Sequence, residues 1–310
     1  MTLPNASFRH ASAQQLAHAL TAARRHTLAL LDRHAEAGYD VAARLPQESH
    51  LTPPLWQLGQ IAWFAEWYIL REAPSSHPAD AIYNGLLTRG DDLFDANMVA
   101  HRARWNLDMP GAGAVRMYAH EVFDRVLDKL SRTASIHSAL YPYRLALAHE
   151  DQCGEAMLAG LQWLGLPPPD TLPAAQPSLA AAGEIRFPGG SVQLGSDPGA
   201  GFAFDNESPP QDVYVPPFAI DSAPVTNAQF GDFVADGGYQ NRQFWSTAGS
   251  AWLMRQERSS PLYWQRDGLQ WRTKRFGVPA TLVPQEAVRH LNLYEAQAYC
   301  AWIEIGRAHV

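Results

Sequence analysis

Cysteine is nearly missing from this 310-residue chain, which holds two, Cys153 and Cys300, one in each half. Two thiols cannot staple a small secreted scaffold, so stability has to come from buried apolar side chains. An excess of basic charge is missing too. Lys and Arg number 24 against 31 Asp and Glu, a formal net charge of −7. That balance offers a phosphate backbone no electrostatic footprint and argues against a nucleic-acid partner. No apolar run approaches the roughly 18 residues of a membrane span, so no membrane partner is expected either. The opening MTLPNASFRH carries Arg9 and His10 where a secretory signal would place its apolar stretch. Few thiols and no visible export signal make the reduced cytoplasmic compartment the expected location. What is abundant is aromatic: 10 Trp, 11 Tyr and 12 Phe in a chain that is 46% hydrophobic. A solvated coil is thereby excluded, and the length suggests two domains.

The first half reads as helices. Residues 12–37 place Leu16, Leu20, Ala23, Leu28, Leu30 and Leu31 near helical period, with Ser12 as N-cap and Gly38 as stop. A second helix starts after Thr52, with Pro53 and Pro54 in its first turn, and stops by Pro74. A third spans 113–133. A fourth spans 143–164, closed by Gly165 and a proline run. Four helices predict a four-helix bundle over residues 1–166. The connection 75–111 is too long for a tight turn, and loops of that length are often functional. Residues 167–183 form a Pro/Ala linker. From 184 onward the pattern changes to short alternating strands around paired glycines, then a short helix over 226–236 and an irregular Trp-rich stretch. The expected fold class is therefore α plus α+β, a helical bundle followed by a loop-rich mixed domain.

Chemistry concentrates on two helices. His149 and Cys153 stand four residues apart, one above the other on the fourth helix, a spacing that lets both grip one metal ion. An ordinary packed or exposed helix face gives the same spacing. On the second helix Gln60 shares a face with Trp56, Trp63 and Trp67. An amide among indoles must find a hydrogen-bond partner, whether across the bundle or in a site. The loop residues Asp91, Asp92 and Asp95, followed by His101, Arg102 and Arg104, are either a solvated surface or part of that site.

Four ordered blocks then carry a resemblance: Phe187-Pro-Gly-Gly-Ser-Val-Gln-Leu-Gly195, Phe204-Asp-Asn-Glu207, Pro224-Val-Thr-Asn-Ala-Gln-Phe230, and His290 through Trp302. Together they resemble the formylglycine-generating-enzyme (sulfatase-modifying-factor, C-type-lectin-like) fold. Within it, Asp236-Gly-Gly-Tyr239, Trp245, Trp252 and Pro261-Leu-Tyr-Trp264 resemble the ergothioneine-type sulfoxide synthases (EgtB), which carry a DinB-like four-helix bundle in front. The blocks around Leu55–Tyr68, Val99–Trp105 and Tyr143–Asp151 look closest to the branch that makes the selenium analogue, selenoneine.

The resemblance implies a mononuclear non-heme iron(II) enzyme. It would join a thiol or selenol donor to hercynine, the trimethylated histidine, forming a C–S or C–Se bond with oxygen. It also implies three iron histidines, one in a W-x-L-x-H motif and two in H-E-x-x-H. Here those positions hold Gln60, His149 and Cys153, so one imidazole of three is kept. A neutral amide is a poor exchange for imidazole, and a thiolate turns preference toward zinc or copper(I). His101 or Glu155 would be the substitute donors. By the same resemblance Gln152 lies at a substrate-holding position, the alternative being an exposed helix amide. Trp56 with Trp63 would either wall a trimethylammonium group, which aromatic faces attract, or belong to the ordinary bundle core. Thr226 and Asn227 read as structural. Two functions compete: a working synthase with an altered ligand set, or a degenerate relative that binds a hercynine-like ligand or a partner without turnover. A third reading, a DinB-like thiol transferase, needs only the first domain.

In that family the second domain runs on past the Tyr294–Trp302 block. Residues 184–303 are therefore expected to be its N-terminal part. Residues 304–310, a string that adapter read-through would encode, are expected to be a non-native tail.

Overall fold

The computed structural model describes residues 8–71, 85–170, 183–197, 201–268 and 270–303. The chain divides into two compact units, Met1–Leu172 with Gln193–Val213, and Pro173–Val192 with Tyr214–Val310.

The first unit is a four-helix bundle with additions. Helix α1 (Ala13–Glu36) starts at a reciprocal cap: Ser12 Oγ accepts from Gln15 N, and Gln15 Oε1 accepts from Ser12 N. Its buried stripe is Leu16, Leu20, Arg24, Thr27, Leu30, Leu31 and His34. Helix α2 (Pro54–Ala65) begins with proline in its first turn and is buried at every position except Phe64, which makes it the central helix. It continues into a π-helical turn, Glu66–Leu70. After the short α3 (Gly90–Phe94) and a 3₁₀ turn, His101–Trp105, come α4 (Ala112–Ser131) and α5 (His137–Leu164). Helix α1 packs on α5, and α2 packs on both α4 and α5.

Helix α5 begins six residues before the expected start at 143 and contains Pro142. Proline there forfeits one backbone hydrogen bond, which is why the sequence pattern breaks at that point. The added turn buries Leu140, and Arg144 donates to Ala11 O at 2.8 Å. Helix α5 ends as expected at Gly165. Its φ of +70° allows the left-handed turn in which Leu166 N reaches Leu161 O at 2.9 Å.

A buried ion pair and a buried carboxylate hold the bundle. Arg24 grips Glu150 through two bonds of 2.7 and 3.2 Å and gives a third to Ala119 O, joining α1, α5 and α4. Glu66 accepts from Tyr118 Oη at 2.6 Å. The segment Gln193–Val213, expected wholly in the second domain, belongs to this unit. Phe202 is buried against the rings of Phe8, Tyr141 and Phe204, and Arg9 pairs with Glu207 at 2.9 Å.

The second unit is α+β with short strands. Strand β1 (Glu184–Phe187) pairs antiparallel with β4 (Phe218–Asp221), and β5 (Trp264–Asp267), β6 (Gln270–Arg275) and β7 (Val278–Thr281) form an antiparallel meander; the paired strands β2 (Gly190–Leu194) and β3 (Gln211–Val215) each run across a boundary between the units in sequence. Helices α6 (Asn227–Ala235), α7 (Thr247–Gln256) and α8 (Leu293–Trp302) complete it. The core is aromatic: Phe230 and Phe233 from α6, Tyr239, Trp245, and Ala298 with Tyr299 from α8. Its polar tips are satisfied, Tyr239 Oη on Glu295 at 2.6 Å and Trp245 Nε1 on Gly238 O at 2.8 Å. Thr226 caps α6, and Asn227 Nδ2 bonds Val283 O at 2.8 Å, so both residues of that motif hold the architecture.

In the β1–β4 ribbon, Ile185 lies opposite Ile220 and Phe187 opposite Phe218, which puts all four on one face. Each is 43–55% exposed. Both cysteines are free. No helix among the described residues is long and apolar enough to cross a membrane. Most of the Pro/Ala linker, part of the 75–111 connection and the 304–310 tail lie outside the described residues.

Candidate functional site

Three positions marked in the sequence meet inside the first unit. Helix α5 presents His149 and Cys153 one turn apart, and α2 brings Gln60 against them. The Cys153 thiol donates to Gln60 Oε1 at 3.9 Å, and its sulfur lies 4.0 and 3.9 Å from Nδ1 and Nε2 of His149. Near-equal distances to both ring nitrogens mean that neither nitrogen points its lone pair at the sulfur. The imidazole is held in this attitude by Phe64, one turn along α2 from Gln60, whose ring lies flat on it at 3.9 Å and 9°.

Burial sets the charge states. It lowers His149 to about 4, because a desolvated imidazolium has no compensating partner. It raises the Cys153 thiol to about 12, a shift that the nearby Glu150 carboxylate reinforces and the Arg104 guanidinium opposes. At neutral pH the cluster is an amide, a neutral imidazole and a thiol. The fixed charge comes from Arg104 in the 3₁₀ turn. Its guanidinium lies 3.9 Å over the Trp56 ring, one helical turn from Gln60, and its buried Nε has no hydrogen-bond partner among the described residues. Burial lowers its pKa, a shift that only the thiolate form of Cys153 opposes.

The other marked residues are placed differently. The Trp56 face proposed for a trimethylammonium group carries Arg104, and Trp56 Nε1 is spent on Leu93 O at 2.7 Å. Trp63 gives its Nε1 to Asp91 at 2.7 Å and stacks on Trp67. Asp91 is itself clamped by Arg71, whose hydrogen bonds hold the carboxyl below the usual range. Gln152 is exposed and lines a separate groove of about 620 Å³ with His26, Asp151, Glu155, Phe8 and Phe204. His101 bonds Leu51 O at 2.8 Å and meets Trp105 edge-on, while Glu155 belongs to the groove, so neither substitute donor joins His149. Glu150 is committed to Arg24.

Iron(II) therefore finds one imidazole, one amide oxygen and one protonated thiol. Among the described residues no group of three or more His, Cys, Asp or Glu is placed to hold a metal ion. The set lacks the anionic or second nitrogen donors that open iron sites use, and it does not fit that ion. Phe64 joins the cluster without having been singled out in the sequence, and Arg104, one of the loop residues weighed there as surface or site, lies over Trp56. The four-residue step from Gln60 points to Phe64 by helical geometry, whereas nothing in the loop sequence marks the approach of Arg104 to Trp56.

Comparison with known proteins places the chain. Residues 169–307 match the model of the sulfatase-modifying factor enzyme 1-like domain. Three curated proteins named hercynine oxygenase align with nearly the whole chain. That of Mycolicibacterium thermoresistibile is 32% identical over 93% of this chain and 62% of its own length. Those of Mycolicibacterium smegmatis and Mycobacterium tuberculosis are 34% and 33% identical over 93% and 94% of the chain, and 65% and 66% of their own lengths. The chain thus spans just under two thirds of these relatives.

Proposed function

We propose, from the similarity of the chain to proteins named hercynine oxygenase and the match of residues 169–307 to the sulfatase-modifying factor enzyme 1-like domain, that it is a member of the hercynine oxygenase family and that its first unit holds a recognition site for hercynine. The observation that carries this reading is the convergence of Gln60, His149 and Cys153 around one sulfur, at the positions where the family resemblance put its ligands. The place is kept while the ligand set is changed. The residues themselves offer recognition. The Gln60 amide can both donate and accept, the neutral His149 ring offers one donor and one acceptor, and Phe64 fixes the plane of that ring. These features suit a neutral heteroaromatic ring such as the imidazole of hercynine. The setting proposed is the reducing cytosol, with small molecules as the partners.

The test is calorimetric titration of the full chain with hercynine. Saturable binding is expected, and it should weaken at least tenfold in Gln60→Ala. Absence of saturable heat, or equal binding by Gln60→Ala, sinks the reading. A second reading, formation of a C–S or C–Se bond between hercynine and a thiol or selenol donor, draws its support from the relatives' name. It predicts oxygen consumption that depends on hercynine and donor together. The selenol variant rests on the resemblance of the Leu55–Tyr68, Val99–Trp105 and Tyr143–Asp151 blocks.

A further inference from the structure

We infer that the Gln60–His149–Cys153 site is metal-free by construction, with the Arg104 guanidinium as its fixed cation, and that the chain does not load iron(II). The inference rests on the proposal above only for the location of the site, not for its ligand.

Four observations carry it. The first is the donor count. A stable iron(II) site needs several imidazole or carboxylate donors turned toward one point, and this cluster has one imidazole. The second is aim. The His149 ring, clamped flat on Phe64, keeps both nitrogens at nearly the same distance from Cys153 Sγ, so a metal bound along either lone pair would not sit between imidazole and sulfur without unstacking the ring. The third is commitment. The carboxylate and imidazole that could complete a set are engaged, Glu150 with Arg24 through two bonds and His101 with Leu51 O. The fourth is charge. Arg104 stacks on Trp56 one turn from Gln60, with its buried Nε unpaired among the described residues. A dication placed near this partly buried guanidinium, with only neutral donors in the cluster and the Glu150 carboxylate already paired with Arg24, meets repulsion that the site does little to offset. The cation that the site needs to polarise a ligand is thus already covalently present.

The test is anaerobic titration of the full chain with iron(II), followed by desalting and metal analysis. Less than a tenth of an equivalent is expected to stay bound, and a stoichiometric equivalent overturns the inference. Cobalt(II) gives an independent reading. No sulfur-to-cobalt charge-transfer band is expected, and appearance of that band would place Cys153 in a metal site and overturn the inference as well. The Gln60→His/Cys153→His double variant restores three imidazoles at these positions and is expected to retain at least fivefold more iron than the unmodified chain. If a folded double variant, checked by far-ultraviolet circular dichroism, gains nothing, the absence of metal does not come from these two positions and the inference fails. Because hercynine binding is measured separately and without metal, its loss would leave this result intact, and the reverse holds.

Discussion

At the scale of single residues, two buried histidines tie stability to pH. His34 donates from Nε2 to Met157 O at 3.1 Å, and its Nδ1 is buried without a partner among the described residues. Burial lowers its pKa, and that of His149 falls to about 4. Both folded values lie below the ordinary imidazole value, so the unfolded chain binds more protons across this range. The associated stability is complete above the unfolded pKa and is lost as pH falls toward the folded one, for His149 between about 6.5 and about 4. Urea midpoints should drop from about pH 7.5 to about pH 5, and the drop should be smaller in His34→Asn and in His149→Asn. A slope unchanged by either substitution would show that other groups carry the pH dependence. The same scale explains what could be read in advance. Ser12 and Thr226 announce their helices because a cap needs only a local hydrogen bond. Arg104 over Trp56 could not be read, because it depends on how a long connection folds back.

At the scale of elements, the close approach of α2 and α3 depends on one missing side chain. A Cβ on Gly59 would lie 2.2 Å from the Phe94 ring, and Phe94 is fully buried with no room to withdraw. Gly59→Ala should therefore cost about 1–3 kcal/mol despite its better helix propensity, measured as a fall in the denaturation midpoint. A neutral or stabilising result would mean that α3 can shift away. The bundle itself was legible from period and caps, since its helices carry stripes that a sequence displays. The start of α5 was not, because Pro142 reads as a break and only the burial of Leu140 beyond it offsets the lost bond. The commitment of Gln193–Val213 to the first unit was hidden too. Its anchor is Phe202 among three rings, and ring contacts between distant segments leave no local pattern.

At the scale of the whole molecule, the two units differ in how completely they cover their apolar groups. The first has a central helix buried at all but one position. The second keeps a well-filled aromatic core but also exposes Ile185, Phe187, Phe218 and Ile220 on one side of its β1–β4 ribbon. Such a face binds hydrophobic dyes and invites edge-to-edge association. Replacing Phe187 and Phe218 together by Thr should lower anilinonaphthalene sulfonate fluorescence at least twofold while leaving the far-ultraviolet spectrum unchanged. Equal dye binding would assign the signal to another surface.

The ribbon also has a calorimetric meaning. Heat capacity rises on unfolding because apolar groups that were dry become wet, and the four ribbon side chains are already about half wet in the native state. They add correspondingly less to that increment than fully buried side chains do. Residue for residue, the melting of the second unit should carry a flatter temperature dependence of its enthalpy than the melting of the bundle. A stability curve for the chain would then be shaped mainly by the dry interior around α2, with the second unit following a shallower course on both the warm and the cold side.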